Sequence, residues 1–109
     1  MDRKKQLCYK ALYFDLSIKA LKRFFSYKNP KGAYEKLQKY FESNNFSHEQ
    51  YSGYHSKYKT TDLEIFLLMQ KMKKIFPWME KCVNHFEVTD VGEDYDLVPL
   101  LQDDIREFE

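Results

Sequence analysis

An aspartate closing an apolar strand is the first candidate for chemistry in this chain. The segment ALYFDL at residues 11–16 carries a lone acid, Asp15, into the start of a helix. Open sheets tend to hold reacting groups at the carboxyl ends of their strands. A carboxylate there can act as a general base or ligate a hard cation, and it can equally cap the helix that follows; both readings stand. Three histidines, His48, His55 and His85, can move protons. The alternation around His85 places it on the same sheet face as Asp15, so it is the strongest of the three. Ser52 can bind a phosphate or shape a tight turn. Tyr13 and Tyr54 can stack on bases or pack in a dimer. Lys10, Lys19, Lys22 and Arg23, with Arg3, Lys4 and Lys5, form a basic set able to follow a phosphate backbone or simply to stay hydrated. Cys8 and Cys82 have neither CxxC nor zinc-ligand spacing, and the chain contains no glycine-rich phosphate loop or nucleophile elbow.

These groups need elements to position them. Residues 8–15 alternate as a central strand, with Leu12 and Phe14 on one face and Tyr9, Ala11, Tyr13 and Asp15 on the other. Ser17 caps a helix marked by Ile18 and Leu21. Tyr27-Lys28-Asn29-Pro30 interrupts it, and a second helix restarts with Asn29 as N-cap and Pro30 as first residue. Phe46 to Tyr58 reads as two short strands joined tightly. Thr61 and Glu64 form a capping box for a helix with Ile65, Leu68, Met69, Met72, Ile75 and Phe76 at three-to-four spacing, stopped by Pro77. Val83 to Val91 alternates as a last strand. The resulting β-α-β-β-α-β order predicts an α+β, ferredoxin-like antiparallel sheet with two helices on one face. Its open face, carrying Tyr9, Tyr13 and Tyr54, then asks for a partner, most simply a second copy of the chain.

The chain has 109 residues and a net charge of +1, enough for one core. That charge is unevenly spread: residues 1–40 carry a net +8, 41–85 a net +1, and 86–109 a net −8. We divide it into a domain at 1–95 and an acidic tail at 96–109 that could add a strand to a partner's sheet. No eighteen-residue apolar run and no signal-type h-region occurs, which predicts a cytoplasmic protein without membrane contact.

Four blocks, FDL at 14–16, AYEKL at 33–37, QYSGY at 50–54 and PWMEKCV at 77–83 followed by Thr89-Asp90, resemble in order the virulence-associated protein D family. The resemblance spans residues 8–98. That family is related to the small dimeric nuclease-like proteins of CRISPR adaptation. It implies a ferredoxin-like fold, a back-to-back homodimer and an endoribonuclease acting on single-stranded or loop RNA, in several cases as the toxin partnered by an antitoxin protein. Carried over by position, the strand-end aspartate is Asp15 and the serine of the family's QGS-type segment is Ser52. His85 stands where some relatives have an acid, and Tyr51 and Gly53 also depart from the pattern. In such a dimer two Asp15 carboxylates could share a Mg²⁺. A metal-free route through the RNA 2′-hydroxyl is the other option. The competing reading is a non-catalytic dimeric scaffold that binds nucleic acid.

Overall fold

The computed structural model describes residues 6–50 and 53–92. Ser52, Tyr51, Arg3, Lys4, Lys5 and the acidic tail lie outside them. Strand β1 spans Tyr9–Leu16, and its alternation behaves as expected: Leu12, Phe14 and Leu16 point into the core while Tyr13 and Asp15 point out. Helix α1, Ile18–Phe24, begins at Ser17, whose Oγ accepts the Ala20 N–H at 3.1 Å. Helix α2 spans Gly32–Ser43, two residues later than the proline predicted. The N–H groups of Gly32, Ala33 and Tyr34 bond the carbonyls of Asn29, Pro30 and Lys31, a tight i−3 turn that precedes the α-helical ladder. Asn45 follows the helix with φ of 68°, a left-handed cap that asparagine tolerates better than most residues.

Strands β2, Phe46–Gln50, and β3, Gly53–Ser56, form the expected pair. Helix α3, Asp62–Ile75, starts at Thr61, whose Oγ1 accepts the Glu64 N–H at 3.1 Å. Pro77 ends it, and a single turn, α4 (Met79–Cys82), leads into β4, Val83–Val91. The sheet order is β2-β3-β1-β4 with every pairing antiparallel. This four-stranded α+β architecture is compatible with the ferredoxin-like expectation.

One core joins the sheet to the helices. Leu12, Phe14 and Phe46 meet Leu21 of α1, Leu37 and Phe41 of α2, Ile65 and Met72 of α3, and Met79 and Cys82 of α4. Phe14 is its centre, with its ring centroid 5.3 Å from Phe86, 5.9 Å from Tyr54 and 6.0 Å from Tyr34. Removing a buried phenylalanine of this kind costs about 3–5 kcal/mol. All these side chains lie on one side of the sheet, which leaves the face of Tyr13 and Asp15 uncovered.

Two expectations are corrected here. Tyr54 is opposite Leu12 in the register and therefore shares its face; it is 1% exposed, inside the aromatic core, and not on the open face. Lys10 also lies on the core side of β1, where its Nζ bonds Asp62 at 2.6 Å and also Asp90, and its side chain is 2% exposed. Burial alone would lower its pKa, but the two carboxylates outweigh that and hold it above the ordinary lysine range. Neither residue lies on the open sheet face. The period-two alternation already put Lys10 in phase with Leu12, and its charge argued misleadingly for exposure.

Candidate active site

The open end of β1 is built by three short-range devices. Ser17, not Asp15, caps α1, so the capping reading of Asp15 gives way and its carboxylate projects from the open sheet face. The Ser17 N–H also donates to the Cys82 carbonyl at 2.8 Å, which ties the start of α1 to the start of β4. Finally, the β1–β4 register shifts between Asp15 and Leu16, with Asp15 opposite His85 and Leu16 opposite Val83. Asn84 is the surplus residue of that irregularity, the kind of local kink that re-aims side chains. Its Nδ2 lies 3.5 Å from Asp15 Oδ2, at the outer limit of a hydrogen bond.

Asp15 and His85 thus oppose each other on one exposed face. His85 Nε2 lies 3.1 Å from Glu87 Oε2. Tyr13, opposite Glu87, places its ring centroid 6.3 Å from the imidazole. Asp15, His85, Glu87, Asn84 and Tyr13 therefore make one constellation on adjacent strands. Glu87 and Asn84 were not foreseen. Glu87 could have been found from its i+2 spacing to His85 on an exposed strand, whereas nothing in the sequence announces the irregularity at Asn84. Beside the group, a depression of about 330 Å³ is lined by Tyr13, His55, Glu87 and Thr89.

The other candidates separate. His55 shares the open face but pairs with Ala11, four residues along β1 from Asp15, which at ~3.3 Å per residue is ~13 Å away. His48 stacks on Tyr54 with centroids 4.8 Å apart, on the opposite side of the sheet. Lys19, Lys22 and Arg23 lie exposed on α1, which starts beside Asp15; the Arg23 guanidinium sits 5.1 Å from the Phe24 ring centroid. The carboxylates Asp15 and Glu87 thus stand on the sheet face, and the cations of Lys19, Lys22 and Arg23 on the helix that follows Asp15.

Among the described residues no three His, Cys, Asp or Glu side chains form a metal-binding group. Asp15 supplies one carboxylate beside an amide and an imidazole that engages Glu87. The Mg²⁺ of the sequence reading lies between the Asp15 carboxylates of two copies, so this chain supplies one of the two carboxylates it calls for. No helix of the described residues is long and apolar enough to cross a membrane. Compared with family models and with curated proteins, the chain matches none.

Proposed function

We propose that this protein is an endoribonuclease of the virulence-associated protein D type, cutting single-stranded or loop RNA on the open face of a ferredoxin-like sheet. The observation that carries the reading is the placement of Asp15: relieved of capping by Ser17, it stands exposed opposite His85 rather than serving the fold. A carboxylate and an imidazole on one face suit a cleavage that needs no metal. The Asp15 carboxylate takes the proton of a ribose 2′-hydroxyl, whose oxygen attacks the adjacent phosphorus. The bond from phosphorus to the 5′ oxygen breaks, and protonated His85 gives that oxygen a proton. The products are a 2′,3′-cyclic phosphate and a 5′-hydroxyl, so atoms and protons balance. With Glu87 accepting from Nε2, Nδ1 is the nitrogen left to deliver the proton. Tyr13 offers a ring for the base next to the scissile bond, and Lys19, Lys22 and Arg23 attract the backbone.

Product analysis tests this reading. RNA cut by the wild type should carry 2′,3′-cyclic phosphate ends, and a substrate with a single 2′-deoxy sugar at the cut position should resist. Binding of RNA without cutting would favour the scaffold reading instead.

A further inference from the structure

The open sheet face carries a second cavity, at the end away from Asp15. Cross-strand pairs step along the face from Asp15 opposite His85, through Tyr13 opposite Glu87 and Ala11 opposite Thr89, to Tyr9 opposite Val91. His55 extends the Ala11 row on β3, and Ser47 extends it onto the outer strand β2. The depression beside Tyr13 does not end at Thr89. Glu49, His55 and Val91 line it and also line a cavity of about 380 Å³ beyond, which Tyr9, Ser47 and Lys57 close. That volume falls among those of small-molecule sites. From Asp15 to Tyr9 the path follows six residues of β1, which is ~20 Å at ~3.3 Å per residue.

The groups around this cavity match the parts of a nucleotide. Tyr9 gives it an aromatic wall, with the Lys59 ammonium 5.9 Å from the ring centroid, and Lys57 supplies a second cation at the rim. The β2–β3 register shifts between His48 and Gln50, so Glu49 is the surplus residue of an irregularity that re-aims its side chain. Ser47 Oγ donates to Glu49 Oε1 at 2.6 Å. The hydroxyl thereby orients the carboxylate and uses one of its about four acceptor sites. A phosphate is drawn to the lysines and repelled by Glu49. The carboxylate therefore suits a donor on a base edge, and the amino group of a cytosine is such a donor for glutamate. Uracil presents an oxygen at the same ring position and meets repulsion instead.

We propose that this cavity is a base-reading subsite for the RNA strand: Tyr9 stacks on a base, Glu49 accepts from the N4 amino group of a cytosine, and Lys57 and Lys59 meet the adjoining phosphates. The proposal rests on the reading of the open face as an RNA surface and adds where along the strand its sequence is sensed. At the ~3.4 Å spacing of stacked nucleotides, a ~20 Å path holds no more than about six of them. The cytosine therefore lies within that distance of the cut.

Fluorescence anisotropy with the full chain and short labelled oligodeoxycytidine and oligodeoxyuridine strands tests this, because strands without a 2′-hydroxyl bind without being cut by attack of that group. The wild type should bind the cytosine strand about tenfold more tightly. Glu49→Gln presents an amide that donates to uracil as readily as it accepts from cytosine, and should bring the two affinities within about twofold of each other. Tyr9→Ala should weaken both strands about tenfold or more, whereas Tyr9→Phe, which keeps the ring, should not; each variant is checked for folding by circular dichroism. Equal affinities in the wild type, binding of neither strand, a preference that survives Glu49→Gln, or affinities indifferent to Tyr9→Ala would overturn the proposal. So would free cytidine monophosphate competing as strongly as the strand, which would make the cavity a mononucleotide site. Because cleavage is not the readout, a protein that shows the preference and cuts no RNA keeps the subsite and loses the nuclease, and one that cuts RNA without the preference does the reverse.

Discussion

Replacing Lys10 by methionine separates the two roles open to a lysine in the first strand. The side chain is 2% exposed and its ammonium lies between Asp62 and Asp90, whose side chains are 25% and 49% exposed. Methionine keeps most of the volume but removes the cation, leaving two carboxylates facing each other at the meeting of β1, α3 and β4. Breaking a buried ion pair from one side costs about 3–5 kcal/mol. Because water reaches both carboxylates, the low end, about 3 kcal/mol, is expected. For a domain of this size each kcal/mol lowers Tm by about 4–8 °C, so Lys10→Met should melt about 12–24 °C below wild type. Adding Asp90→Asn should recover part of the loss by removing one of the two like charges left facing each other. Thermal melts followed by circular dichroism measure the first effect, and fluorescence anisotropy with a labelled RNA at low temperature, where both proteins are folded, measures the second. The RNA affinity should not change. An unchanged Tm together with weaker RNA binding would refute the placement of Lys10 and return it to the phosphate-binding set.

Ser17→Ala removes the side-chain acceptor of the Ala20 N–H and should destabilise the fold by about 1 kcal/mol, read by urea denaturation. Burial, with Glu42 adding to it, pushes the Tyr54 phenol from 10.0 up to about 12. An unfolded chain ionises this tyrosine from pH 10 upward while the folded chain does not, so the unfolded state binds fewer protons and stability falls by about 2–3 kcal/mol as pH rises towards 12. Urea midpoints measured at intervals over that window should decline less steeply in Tyr54→Phe. If proton transfer by Asp15 and His85 carries the cleavage, RNA should be cut at the same rate in EDTA; complete loss on chelation, restored by Mg²⁺, would overturn the proton-transfer route.

Much of the fold was legible because the apolar periods are clear. The last strand falls at Val83–Val91 as its alternation predicts, and the Thr61 cap and Pro77 stop bracket α3. The start of α2 was not, because a tight i−3 turn after Pro30 looks like a first helical turn in sequence. Ile75 was expected in the buried stripe yet is half exposed, since at about 100° per residue it falls at the edge of the stripe centred on Ile65 and Met72. At the site, strand phase alone put Asp15 and His85 on one face. It could not fix the register that makes them opposite, nor the irregularity at Asn84, because cross-strand pairing depends on turns and packing distant in sequence. Tyr54 and Lys10 were misplaced for a common reason: residue type was allowed to overrule phase, although a polar tip can be satisfied in a core when its partners arrive from other elements.

The central claim is that Asp15 and His85 cut RNA together. The direct measurement is single-turnover cleavage of a labelled single-stranded RNA by wild type, Asp15→Asn, His85→Gln and the double variant, each shown to be folded. The account predicts that each single substitution lowers the rate constant by about 10²–10⁴-fold and that the double variant is little worse than either, with RNA binding retained. Equal cleavage by all four proteins, or cleavage by none, would contradict it.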